Sequence, residues 1–319
     1  MVKQLYKMQK FLILSRVEFF IKVLSISILL VPSCDNDKTK EKIIKSPPPA
    51  ISMDSSLVRT WMWDTITIPP YTYPEATAFG NGLYINHAYD TMGITIEGDR
   101  IRYNLNPINP SPPSDTLSPN NYRSEIRTVP WQINHPLGTE QWIGWRYYFP
   151  ENYVIDSTSP ITIYQNHPGI RGESPMVELE IAAHHRPFPA KGGEIQVVNV
   201  LDRIVYPVRP MAGDSLDIVI HAIWGLEGEG VMQIWLNHEL YHDKQERTVY
   251  EDYPWGGNNK WGIYHHTFYY SPEDVQSSID AGAGFVELFM GPLRLMTRTP
   301  NHPEYKLDAY HLVDPRQQH

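Results

Sequence analysis

Cys34 is the only cysteine among 319 residues. A domain folded from the residues after it therefore has no internal disulfide, no cysteine-rich zinc site and no catalytic thiol. Long apolar runs are also missing. The stretch "VLSISILLVPSC", residues 23–34, is about half of the roughly 20 residues that a spanning helix needs. Basic charge is scarce, with 27 Lys and Arg against 36 Asp and Glu and a net charge of −9. Residues 1–33 carry Lys3, Lys7, Lys10, Arg16, Lys22 and Glu18, a net of +4, so the remainder is near −13 (−9 minus +4). Such a surface excludes nucleic acid as a partner. An anionic ligand must instead be drawn by a local basic cleft. Helix signals are few. The one helical pattern is "SPEDVQSSIDAG", with Ser271 as its cap and Pro272 and Glu273 in its first turn.

What the chain does have is proline, 28 residues, with 9 Trp and 20 Tyr and a hydrophobic fraction of 41%. That mixture suits an all-β protein with many turns and an aromatic-rich binding surface. The N-terminus, basic and then briefly apolar, reads as an export signal over residues 1–33. Val31-Pro32-Ser33-Cys34 resembles a bacterial lipobox, which makes Cys34 the expected lipidation site and the membrane a partner only through that anchor. The expected location is the outer membrane, on its periplasmic or outer face, or the medium if the signal is a plain one. Residues 34–59 are charged, then proline-rich, and read as a flexible tether. Short alternating runs fill residues 60–315, interrupted by "NPINPSPPSDTLSPNN" at 106–121, a long loop. In "DSLDIVIHAIWG", Leu216, Ile218, Ile220, Ala222 and Trp224 share one face. The runs "WIGWRYYF", "GEIQVVNV", "GVMQIWLN" and "GFVELFMGPLRLM" read as further strands. They predict a single antiparallel sandwich.

One string suggests a different chemistry. His238-Glu239-Leu240-Tyr241-His242 matches H-E-x-x-H, in which two histidines on one helical face bind zinc. The run that leads into it, Val231 to Leu236, is β-branched and aromatic, and Asn237-His238 falls where a hairpin turn is expected. Strand and turn are the better reading.

Three other segments fit one another. In Arg123-Ser124-Glu125-Ile126-Arg127, a strand puts two cations and one carboxylate on the same face, as for gripping a carboxylate or sulfate. A surface charge ladder is the alternative. In Gln165-Asn166-His167, Gln165 and His167 share a face, although Ile161 and Ile163 have the same parity, so this strand changes face at an edge or bulge. In Lys260-Trp261-Gly262-Ile263-Tyr264, Gly262 separates a cation from a phenol, as where a polymer lies close to the sheet. Packing alone is the competing reading of that trio.

Together, and in this chain order, the segments resemble the R-[ST]-E-x-R, Q-x-H and K-x-G-x-Y strands of the jelly-roll polysaccharide lyases. That group takes in alginate, glucuronan-lyase-like and heparin-lyase-like enzymes. Asn166 stands where the alginate enzymes often have Ile or Val, and "NNKWGIYHH" departs from their third strand, which leaves the uronate open. The resemblance implies a concanavalin-A-like jelly roll of two antiparallel sheets with a concave cleft. It also implies β-elimination on an anionic, uronate-containing polysaccharide by a protein that acts as a monomer. Such a reaction removes the C5 proton and expels the C4 oxygen, leaving a C4–C5 unsaturated end. Arg123 and Gln165 would neutralise the uronate carboxylate, and Lys260, Arg127 and Glu125 would bind and orient substrate. Tyr264 would protonate the leaving oxygen. The base would be Tyr264 or His167, starting from ordinary pKa values of about 10 and about 6.5. The scheme requires no cofactor and leaves room for a structural calcium ion. Two rivals use the same sandwich. A glycoside hydrolase needs E-x-D-x-x-E, but "VELEIAAHH" has only Glu178 and Glu180, with Ala183 in the third place. A non-catalytic carbohydrate-binding lipoprotein would not need Tyr264.

Overall fold

Strands make up most of the regular structure among the described residues. The computed structural model describes residues 58–317 apart from 70–76, 81, 88–92, 108–121, 129–134, 171, 184–191, 201 and 270. The chain divides into two units, Met1–Ile43 and Ile44–His319, and every described residue belongs to the second. The segment expected to direct export, Cys34, residues 34–57 of the expected tether and most of the proline-rich loop lie outside the described residues, whereas Val58 and Arg59, also expected in the tether, lie in a strand.

The strands are β1 (Val58–Trp61), β2 (Thr77–Phe79), β3 (Leu83–His87), β4 (Ile94–Glu97), β5 (Arg100–Leu105) and β6 (Arg123–Thr128). Next come β7 (Glu140–Tyr148), β8 (Ile161–His167), β9 (Val177–Ile181), β10 (Ile195–Asn199), β11 (Asp202–Tyr206) and β12 (Ser215–Ile223). The series ends with β13 (Val231–Leu236), β14 (Glu239–Gln245), β15 (Asn258–Tyr264), β16 (Val286–Met290) and β17 (Leu293–Arg298). Helix α1 (Pro272–Asp280) begins where the capping pattern put it, with the Ser271 hydroxyl accepting from the Asp274 backbone N–H at 3.3 Å. A short C-terminal helix, α2 (Tyr310–Val313), is the other α-helix among the described residues.

Two antiparallel sheets result. One runs β14-β13-β12-β7-β16-β5-β4, with β17 joining β7 to β1; the other runs β11-β10-β9-β8-β15-β6-β3-β2. Between them lies a core that includes Trp145, Tyr164, Leu179, Ile218, Ile220 and Trp261. Alternate residues of β7 and β12, Trp142 and Val219, face the other way and pack with Trp235, Met296, Tyr310 and Val313. Gly144 makes room for this C-terminal segment, since a Cβ there would meet the Val313 carbonyl oxygen at 1.8 Å.

The zinc-protease string forms a hairpin. Asn237 and His238 make the turn with φ of 47° and 70°, and β14 begins at Glu239. His238 bonds the Tyr310 hydroxyl at 3.2 Å, whereas His242 is held by the Tyr206 hydroxyl at 2.8 Å and by Glu246. The two histidines are tied to different parts of the structure rather than to a common helical face.

Candidate active site

Strands β8, β15 and β6 are adjacent in the second sheet, although 93 residues separate Asn166 from Asn259, which pair across it. Lys260 stands opposite Arg127 on one side and Gln165 on the other; Tyr264 stands opposite Arg123 and Thr162. Trp261, Ile263 and Ile126 point into the core, so their alternates face outward from the sandwich. Tyr164 and Asn166 point inward and are tied to Asn259 at 2.7 and 2.8 Å. The change of face along β8 is a bulge: Ile163 and Tyr164 are both core residues, and the register with β9 shifts between Thr162 and Tyr164.

The outward cluster is wired through Glu125. Its Oε1 accepts from Gln165 Nε2 at 2.5 Å, and its Oε2 accepts from Arg123 Nη1 at 3.5 Å. Lys260 Nζ donates to Gln165 Oε1 at 3.5 Å. Arg123 does not point its whole fork away from the sheet. Its guanidinium carbon lies over the Tyr264 ring, 3.8 Å from the centroid, a cation–π contact that fixes the phenol. Three cations therefore face one carboxylate, an arrangement suited to a ligand that brings negative charge. Burial, followed by Arg123 and Arg127, lowers the Lys260 ammonium to about 7, against the opposing pull of Glu125.

His167 occupies the edge of this cluster in a form unsuited to proton abstraction. Its Nδ1 accepts from the Gly169 backbone N–H at 3.0 Å, so Nε2 carries the proton and donates to the Glu173 carbonyl at 3.1 Å. Burial, then Lys260 and Arg123, pushes it down to about 2. The sequence left the base open between His167 and Tyr264. Gly262 also needs a different explanation from close approach of a polymer. Its φ is +137°, and a Cβ would lie 2.1 Å from the Ser124 carbonyl oxygen on the neighbouring strand. The glycine admits β6 to β15.

The outward face continues past the three motifs onto β9, β10 and β11, where Glu178, Glu180, Gln196 and Arg203 follow. Sequence reasoning met Glu178 and Glu180 only as an incomplete hydrolase string. The signal was the alternation in "VELEI", which marks both glutamates as facing away from the core. Among the described residues no group of three or more His, Cys, Asp or Glu side chains is placed to hold a metal ion.

A family model described as polysaccharide lyase matches residues 94–290, a span that contains all three motif strands. Among solved structures, the chain is similar to an endo-β-1,4-glucuronan lyase from the fungus Trichoderma reesei. The identity is 15%, over 70% of this chain and 87% of that one, with a TM-score of 0.47. It is similar to alginate lyase Aly36B at 12% identity, over 77% of this chain and 98% of that one, with a TM-score of 0.45. An alginate lyase from Pseudomonas aeruginosa matches at 17% identity, over 65% and 86% of the two chains, with a TM-score of 0.42. No curated protein matches the chain in sequence.

Proposed function

Because the chain belongs to the polysaccharide lyase family and is thus an enzyme acting on polysaccharides, we propose that it cleaves a uronate-containing polymer by β-elimination. The observation that carries this reading is the outward cluster on β6, β8 and β15, in which the Arg123 guanidinium lies over the Tyr264 ring and Lys260 stands two alternations away along β15. Elimination from a 4-linked uronate needs two things at once: charge compensation for the carboxylate and the enolate-like intermediate beside it, and a group that moves protons at C5 and O4. Arg123, Arg127 and Lys260 supply the first. Tyr264 supplies the second, taking the C5 proton as a phenolate stabilised by the neighbouring cations and returning a proton to the leaving O4. Gln165 and Glu125 hold the cations in place. His167 is a neutral prop at the edge of the site.

Tyr264→Phe is the direct test. It should fold normally, since Tyr264 lies at the outward end of its strand, and should give no ultraviolet absorbance from unsaturated ends on uronate polymers that the wild type cleaves. Turnover close to wild type would remove Tyr264 from the chemistry. We also propose that the enzyme is exported and held at the membrane through Cys34. Cys34→Ala should then move it from the membrane to the soluble fraction, and unchanged membrane fractionation would reject the anchor.

A further inference from the structure

The Tyr264 chemistry leaves one proton unassigned. A phenol must lose its own proton before it can take one from C5. Arg123, over the ring, stabilises the resulting phenolate but accepts nothing. Three nitrogen bases on or next to the motif strands are poorly placed to accept that proton. Lys260 is 1% exposed and four residues from Tyr264, ~13 Å along a strand at ~3.3 Å per residue. His167 uses both ring nitrogens, on Gly169 and Glu173. His265 is 0% exposed, with its ring stacked on Phe268.

His266 differs from all three. It lies in the turn after β15, and its ring meets the Tyr264 ring edge-on, with centroids 6.0 Å apart. Its Nδ1 is sealed from solvent, 3.9 Å from Glu180 Oε1, yet 28% of the side chain is exposed. Nε2, on the opposite edge of the ring, is neither sealed nor hydrogen-bonded among the described residues.

Glu180 is held ready behind that ring. Leu179 and Ile181 point into the core, so Glu180 faces outward, in one cross-strand row with Thr162 and Tyr264. Its Oε2 accepts from Gln196 Nε2 at 2.5 Å and from Arg203 Nη1 at 3.0 Å, which leaves Oε1 to His266. The charges that act on His266 are thus Glu180 on β9, Arg203 on β11 and Arg123 on β6. Burial, opposed by Glu180 and helped by the two arginines, lowers the imidazole from its ordinary 6.5. A carboxylate facing Nδ1 keeps the ring proton there, so the lone pair is on the accessible Nε2.

Resting on the lyase reading above, we propose that His266, backed by Glu180, is the proton acceptor that turns Tyr264 into the base. The phenol proton passes to Nε2, giving an imidazolium beside Glu180 and a phenolate beneath Arg123. The phenolate takes the C5 proton, the C5–H electron pair forms the C4–C5 double bond, and the C4–O4 bond breaks. Tyr264 gives the C5 proton to O4, and His266 returns the phenol proton to Tyr264. No proton is gained or lost overall.

The test is the pH profile of kcat/KM for wild type and His266→Gln, with unsaturated ends as the readout. The substrate is whichever of alginate, glucuronan, hyaluronan and heparosan the wild type cleaves. The wild-type acid limb should lie below pH ~7, where the imidazole protonates. His266→Gln should lose roughly 10²-fold near pH ~7, with KM little changed. Its acid limb should move up by at least about one unit, toward the ionisation of a phenol near ~10. Lys260, which titrates at about 7, is common to both proteins, so the difference belongs to His266. A merely structural role would lower the rate equally at every pH. That uniform loss, or an unchanged profile, would overturn the relay; an inactive Tyr264→Phe would then leave the lyase reading standing. If the wild type makes no unsaturated ends from any of the four polymers, the lyase reading fails and the relay with it. The wild-type profile decides the matter even if the variant does not fold, since an acid limb above pH ~7 means that the phenol ionises without the imidazole.

Discussion

Replacing Lys260 with Met should remove activity and yet stabilise the fold, by an amount that depends on pH. Lys260 is 1% exposed, and burial with two nearby arginines lowers its ammonium from 10.5 to about 7. In the unfolded chain the ordinary value returns. Between about 7 and 10.5 the unfolded state thus binds more protons than the folded one, and stability rises with pH. At ~1.36 kcal/mol per unit, holding this lysine in the fold costs about 5 kcal/mol near pH ~6 and about 2 kcal/mol near pH ~9. Methionine fills a similar volume without a charge. Its loss of the 3.5 Å contact to Gln165 does not titrate and cancels between the two conditions. The advantage of Lys260→Met over wild type in urea unfolding should therefore shrink by roughly 2–3 kcal/mol from the lower to the higher pH. An advantage that stays constant across that range would refute the reasoning, because it would mean that Lys260 keeps an ordinary pKa. Such a trade of stability for a charged site is common in enzymes.

Two further substitutions probe the same strands. Arg123→Ala removes both the guanidinium on the Tyr264 ring and a partner of Glu125; kcat/KM on a cleaved uronate polymer should fall on the order of 10²–10³-fold, and an unchanged rate would take Arg123 out of the site. Gly262→Ala forces a Cβ against the Ser124 carbonyl at 2.1 Å; thermal or urea unfolding should show a loss of more than ~2 kcal/mol, and a neutral result would mean that β6 can move away from β15.

Much of this architecture is legible in single strands. The period-2 pattern of "DSLDIVIHAIWG" sorts Leu216, Ile218 and Ile220 from Val219, and the two sets end in two separate cores. Ser271, Pro272 and Glu273 mark a helix start because capping is local chemistry. What alternation cannot say is which strands meet. That Lys260 lies between Gln165 and Arg127 follows from pairings across about a hundred residues, and only the ordered likeness of three short motifs to a family suggested it. The bulge at Ile163 and Tyr164, by contrast, is legible as a parity conflict, since Ile161 and Ile163 share the parity of Gln165 and one extra residue reverses it. The condition of His167 depends on a backbone N–H and a carbonyl, those of Gly169 and Glu173, and side-chain identity carries no trace of either. The outward position of Glu178 and Glu180, like that bulge, is legible in the alternation of "VELEI".

The central claim is that the enzyme breaks its polymer by elimination rather than by adding water. Mass spectrometry of the fragments from a defined uronate oligosaccharide tests it most directly. The account predicts pairs of fragments whose masses sum to that of the parent, one of each pair carrying the C4–C5 double bond, and no such fragments from Tyr264→Phe. Fragment pairs heavier than the parent by one water, with no unsaturated end, would contradict it.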